Sequence, residues 1–121
     1  MSDAGAQRRL LLTFSNPSDA SREAEYHEWY TNTHIPELLR HVTGMKTARR
    51  YRVDSGEYQY KYLVVYEIEG TAAEVLSELA QRRSEGKLTR SPELQTDPPP
   101  LVVVVDPVDE PPFSELEPAA R

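Results

Sequence analysis

The run Glu57–Glu69 (EYQYKYLVVYEIE) constrains the fold more than any other stretch of the chain. Successive side chains of a strand point to opposite faces, so Tyr58, Tyr60, Tyr62, Val64, Tyr66 and Ile68 share one side. The other side carries Leu63 and Val65 beside Lys61 and Glu67. A strand that is apolar on both faces belongs in a sheet covered on both sides.

The flanking sequence supplies the remaining elements. Arg8–Phe14 (RRLLLTF) reads as a strand that runs into the turn Ser15-Asn16-Pro17-Ser18, after which Ser18 or Asp19 caps a helix. Gly44 is expected to stop that helical region, and Met45–Val53 to form a strand joined to the next by Asp54-Ser55-Gly56. Thr71 caps a second helix, with Ala72, Val75, Leu76, Leu79 and Ala80 as its apolar stripe and Arg82, Arg83 and Glu85 towards its end. A loop with a short helical turn at Ser91-Pro92-Glu93 leads to the strand Leu101–Val105 (LVVVV). The order is β-α-β-β-α-β, the ferredoxin-like arrangement of an α+β protein. It predicts a four-stranded antiparallel sheet with two helices on one face. The other face is partly apolar, and pairing two such sheets would bury it, so a homodimer is expected.

The 121 residues suit one domain. Residues 1–7 are small and polar, and 106–121 (DPVDEPPFSELEPAAR) are acidic and proline-rich, so the folded body is placed at 8–105 between two flexible tails. The net charge of −6 argues against nucleic acid as a partner, despite the local run Arg49-Arg50-x-Arg52. No cysteine is present, which removes disulfides, thiolate metal sites and cysteine nucleophiles. No apolar run approaches the ~18 residues of a membrane span, and the start of the chain has no signal-peptide core, so a cytoplasmic protein without membrane contact is expected.

The first helix changes face. At about 100° per residue from Tyr26, Trp29 falls near 300°, Tyr30 near 40° and His34 near 80°. Around and after Pro36 the apolar residues Ile35, Leu38, Leu39 and Val42 fall at about 180°, 120°, 220° and 160°. Proline inside a helix removes a hydrogen bond and clashes with the preceding turn, whereas it is tolerated in a first turn. The expectation is a helix over 19–33, a break at Thr33–Ile35, and a short helix over 36–43, with His34 in the break.

His27, His34 and His41 are spaced by seven, which along a helix is ~10.5 Å, too far for one metal ion. No metal site is expected, and His27 and His41 read as solvent-facing. His34 is the candidate general acid or base. Tyr26 and Tyr30 share its helix face. Tyr51 and Arg49 alternate onto one face of the second strand, where a phenol and a guanidinium suit an enolate or phenolate. Arg50 and Arg52 read as dimer or solvent groups. Glu37 is placed to cap the new helix or to orient His34. Neither a glycine-rich phosphate loop nor a G-x-S-x-G elbow is present.

The segment Tyr26-His27-Glu28-Trp29-Tyr30-Thr31-Asn32-Thr33-His34-Ile35-Pro36-Glu37-Leu38, with Gly44-Met45 and Ala48-Arg49-Arg50-Tyr51 after it, resembles the EthD-like branch of the dimeric α/β-barrel superfamily. The resemblance covers about residues 8–105, and W-x-x-x-x-H-x-P is its most specific part; the usual Pro-Gly pair is here Thr43-Gly44. It implies a ferredoxin-like protomer, two sheets closing a barrel in a dimer, and a pocket between sheet and helices. Relatives in the superfamily include cofactor-independent cyclases, dehydratases and isomerases, cofactor-free monooxygenases of polyphenols, and haem-binding enzymes.

Together these readings give a cofactor-independent enzyme of lyase, cyclase, dehydratase or isomerase type, acting on a small aromatic or enolisable carbonyl substrate. His34, Tyr30 and Tyr51 are its expected catalytic residues, and Tyr26, Trp29, Arg49 and Tyr66 its expected substrate-binding residues. A cofactor-free monooxygenase of a phenolic substrate, a non-catalytic small-molecule-binding accessory protein, and haem held by His34 stand as alternatives.

Overall fold

The computed structural model describes residues 8–110 and Phe113; the expected tails, 1–7 and the greater part of 106–121, lie outside the described residues. Strand β1 (Arg9–Ser15) leads through a 3-10 turn (Ala20–Arg22) into α1 (Glu23–Trp29), a π-helical turn (Tyr30–His34) and α2 (Ile35–His41). Strands β2 (Met45–Arg52) and β3 (Tyr62–Ile68), helix α3 (Ala72–Ser84) and strand β4 (Leu101–Val105) follow. The strands form one antiparallel sheet in the order β2-β3-β1-β4. The β-α-β-β-α-β order and the four-stranded antiparallel sheet are those expected.

Local chemistry sets the element ends. Asp19 accepts from the backbone N–H of Ser21 at 2.8 Å and so opens the helical region. Thr71 and Glu74 form a reciprocal capping box at the start of α3. β3 is shorter than its alternating run because the Asn16 side chain takes the place of a strand partner beyond Ser15. Asn16 accepts from the Lys61 N–H at 2.7 Å and donates to the Gln59 carbonyl at 2.9 Å.

Gly44 corrects an expectation. The helix ends at His41, Val42 caps it in an extended conformation, and Gly44 does not have a positive φ. The glycine is needed for space: a Cβ there would lie 2.7 Å from Val75 Cγ2 and 2.8 Å from the Glu69 carbonyl oxygen.

Strand register assigns every side chain to a face. On the helix side, one row runs Val104–Leu11–Tyr66–Ala48 and the next Val102–Thr13–Val64–Arg50. Leu11, Val64, Tyr66 and Ile68 pack in one buried cluster with Tyr26, Tyr30, Leu38, Val42 and Val75 from the helices. The opposite face carries the rows Leu101–Phe14–Leu63–Tyr51, Val103–Leu12–Val65–Arg49 and Val105–Leu10–Glu67–Thr47. No described helix packs against those rows, and Leu101, Val103, Val105 and Tyr51 are exposed on them.

Candidate active site

The helical region does not break at Pro36. Backbone torsions stay right-handed helical through Trp29, Tyr30, His34 and Ile35, and the Ile35 N–H donates to the Tyr30 carbonyl five residues back. The expected break is thus a wide π turn, equivalent to one residue inserted into an α-helix. The insertion sets back everything after it by about 100°. Leu38 moves from about 120° to about 20°, and Val42 from about 160° to about 60°. Both return to the face of Tyr26 and Tyr30, and all four are buried. Leu39, set back to about 120°, is exposed.

The same turn builds the site. Residues five apart diverge by about 140° in an α-helix, but in a π turn they stand nearly above one another. Trp29 and His34 are five apart, and their rings stack at 4.3 Å between centroids with 17° between planes. Tyr30 meets His34 edge-on at 5.3 Å. The spacing W-x-x-x-x-H therefore has a geometric meaning, and Pro36, close behind, sits in the first turn of α2.

Trp29 and His34 stand in the wall between two cavities. One, of about 330 Å³, lies between sheet and helices, with Leu11, Leu38, Met45, Tyr66, Leu79 and Val102 in its lining. The other, of about 540 Å³, lies beneath the segment that joins α3 to β4 and is bordered by Leu88, Thr89, Arg90 and Pro92. Trp29, His34, Arg83 and Leu94 border both. The covering segment is strapped to the helical layer. Thr89 donates through N–H and hydroxyl to the two Glu37 carboxylate oxygens at 2.7 and 2.6 Å. Arg22 makes two bonds of 2.7 Å to Glu93. Gln95 N–H donates to the Asn16 carbonyl at 2.9 Å.

Burial holds the His34 imidazole well below its ordinary value, at about 4; the Glu37 charge opposes this and the Arg83 charge adds to it. The ring is therefore neutral near pH 7, with one nitrogen a donor and the other an acceptor. Its buried Nδ1 has no hydrogen-bond partner among the described residues, and neither has Trp29 Nε1. Glu37 keeps a lowered carboxyl: burial would raise it, but the two Thr89 hydrogen bonds, with His34 and His41 nearby, together outweigh burial.

Tyr30 borders the inner cavity while its hydroxyl lies 3.0 Å from Ser15 Oγ, which also lies 2.6 Å from the Tyr26 hydroxyl. Burial raises both phenols and keeps them protonated. Tyr26 is fully buried and borders neither cavity, so it supports the site from the core. Tyr66 borders the inner cavity from the sheet.

Tyr51 and Arg49 are not with His34. They stand on the opposite face of the sheet, and the grouping expected of them is corrected by a bulge. Met45 pairs with Ile68 and Thr47 with Glu67, so the register shifts between Met45 and Thr47. Alternation counted from buried Met45 would carry Thr47, Arg49 and Tyr51 inwards; the extra residue inverts it and turns Ala48 and Arg50 inwards instead. Arg50, expected at a dimer seam or in solvent, lies 5.0 to 5.9 Å from the ring centroids of Tyr26, Tyr30 and Tyr62. It also donates to His27 Nδ1 at 2.9 Å. His27 is half-buried between Arg50 and Glu23 rather than solvent-facing. Burial, and then the Arg50 charge, lower its pKa.

Arg83 is the site residue that sequence reasoning assigned only to a helix end. Its signal was present: it falls four residues after Leu79 and seven after Leu76, on the stripe that faces the cavity.

No family model matches the chain, and none of the curated proteins matches it. The structure is similar to the crystal structure of an ethyl tert-butyl ether D (EthD) family protein from Bacillus halodurans, with 17% sequence identity and a TM-score of 0.47. The likeness covers 83% of this chain and 97% of that one. EthD-like is the family that the Tyr26–Leu38 segment resembles. Among the described residues no helix is long and apolar enough to cross a membrane, and no three His, Asp or Glu side chains converge as a metal ion would need.

Proposed function

We propose that this chain is a cofactor-independent enzyme that moves a proton on a small aromatic or enolisable carbonyl compound held in the cavity between sheet and helices. The observation that carries the reading is the His34 imidazole, stacked on Trp29 with Nδ1 unpartnered among the described residues, in the wall common to two cavities. In this reading His34 takes a proton from the carbon beside the carbonyl, leaving an enolate and an imidazolium of opposite charge. The proton then returns to another carbon in an isomerisation, or leaves with hydroxide as water in a dehydration or cyclisation. The Tyr30 phenol, kept protonated by burial, supplies a hydrogen-bond donor at the inner cavity.

A second reading has a specific support. An imidazole held at about 4 is a weak base, which suits a small-molecule-binding accessory protein in which His34 accepts a hydrogen bond and no chemistry follows. Deuterium exchange separates the two. A panel of aryl β-diketones and β-ketoesters is incubated in D2O with the protein, and α-carbon exchange is followed by NMR. Acceleration that disappears in His34→Ala supports the enzyme. Ligand binding without acceleration supports the accessory protein.

The homodimer belongs to the same reading. The rows through Phe14, Leu12 and Leu10 give a sheet face of largely apolar character. A second copy placed on it closes a barrel and leaves the His34 cavity of each protomer on the outside of the sheet pair. In that arrangement Arg49 and Tyr51 belong to the seam.

A further inference from the structure

We propose that the ligand of the His34 cavity is an organic carboxylate, an apolar body with one carboxylate group, and that Arg83 receives the charge. The proposal deepens the functional reading, and it rests on that reading's premise that the cavity holds a small molecule.

The contrast between two adjacent arginines motivates it. Arg82 is committed within the protein: its Nε donates to the His41 carbonyl at 3.0 Å, and its other nitrogens reach Glu85 at 3.0 Å and Glu78 at 3.4 Å. It serves the last turn of α3 as a basic residue there ordinarily does. Arg83 makes no ion pair or side-chain hydrogen bond with any described residue, although it follows Arg82 directly. It borders both cavities, and its charge is felt at His34.

The charge of the surroundings points the same way. The whole chain has a net charge of −6. Yet no described aspartate or glutamate borders either cavity, while Arg83 borders both and Arg90 the outer one. The nearby carboxylate of Glu37 is occupied by Thr89 on both oxygens. Arg90 also borders a shallower hollow that includes Glu25, Glu28 and Glu93, so the geometry gives the ligand's charge to Arg83. A guanidinium presents a planar fork that matches a carboxylate through two parallel hydrogen bonds. The inner cavity, lined by Leu11, Leu38, Met45 and Val102, suits the apolar body. A ligand so placed lies with its carboxylate at the arginine and its adjoining carbons beside His34.

The test uses the full chain labelled with nitrogen-15. Trp29 is the sole tryptophan, so the single indole N–H signal reports directly on the wall of both cavities. The chain is titrated with 2-naphthoate and with its neutral counterpart 2-naphthamide. Both are expected to shift the indole signal, naphthoate with a Kd lower by about tenfold, the strength of one charge-assisted pair. Arg83→Gln is expected to bring the naphthoate Kd to that of the amide and to leave the amide Kd unchanged, which also confirms that the variant is folded. Arg83→Lys is expected to keep a reduced preference, since the charge remains and the fork is lost. Equal binding of the two probes, or a preference that survives Arg83→Gln, overturns the proposal and leaves the cavity reading standing. If neither probe shifts the signal, the cavity reading fails and the proposal with it.

Discussion

His34 links the site to stability through its protonation. Its value falls from the ordinary 6.5 to about 4 on folding, so between these pH values the unfolded chain binds the proton more readily. Stability from this group is complete above about pH 6.5 and is lost as pH falls towards 4. By pH 5 the loss is on the order of 2 kcal/mol. Urea unfolding at pH 7 and pH 5 tests this: the wild type is expected to lose that much more than His34→Leu. His27, which is not coupled to His34, contributes alike in both proteins and cancels in the difference. Equal losses would mean that His34 is not held neutral. The two arginines of β2 give a second prediction at this scale. Arg50 lies among three tyrosine rings, so Arg50→Ala is expected to cost about 2 kcal/mol. Arg49→Ala, on the open face, is expected to change monomer stability by under about 0.5 kcal/mol. These two residues also mark where the sequence was hardest to read. MKTARRYRV has no clean alternation to set its phase, and a bulge at Lys46 leaves no composition signal. The inward-facing arginine was therefore credited to the wrong neighbour.

Among the elements, the helical region from α1 to α2 is the one whose sequence told part of the truth. The shift of the apolar face between Tyr30 and Leu38 is visible in residue spacing, and Pro36 marks where it happens. Its mechanism was not visible, because a break and a one-residue π insertion displace the stripe alike. Burial decides between them: Leu38 and Val42 share one core with Tyr26 and Tyr30, which a single continuous rod with one inserted residue achieves. This makes deletion of Asn32 informative. Removing one residue from the π turn leaves an ordinary α-helix with Leu38 and Val42 still inward, but it gives Pro36 the full clash of a helix interior. The deletion is expected to be less stable than the deletion combined with Pro36→Ala by about 3 kcal/mol. In the parent chain Pro36→Ala is expected to change stability by less than about 1 kcal/mol, since Pro36 lies in a first turn. Both values come from denaturant titration, with circular dichroism to confirm retained helix. In either deletion Trp29 and His34 become four residues apart, which on an α-helix still leaves them neighbours on one face.

For the whole molecule, element order was legible because each strand and helix carries its own start and stop chemistry: Asp19, Thr71 and the turn at Asp54-Ser55-Gly56. The cavity was not legible, because its lining comes from β1, the helices and the segment after α3, whose juxtaposition depends on tertiary packing. The open sheet face carries the prediction at this scale. Leu12 stands between Val103 and Val65 in the middle row of that face. Sedimentation is expected to give a dimer for the wild type and a monomer for Leu12→Glu, with an unchanged far-ultraviolet spectrum. A monomeric wild type at micromolar concentration would sink the barrel.

The strap beneath which Trp29 and His34 lie also sets an order in time. During synthesis His34, the β2–β3 hairpin and most of the core leave the ribosome first. Leu88, Leu94, Pro100 and Val102, which complete the cavities, come only with the last part of the domain, and β4 must return to β1 at the other end of the chain. Pairing over so long a loop is slow relative to local contacts. The proposed binding site is therefore the newest part of each molecule to arrive.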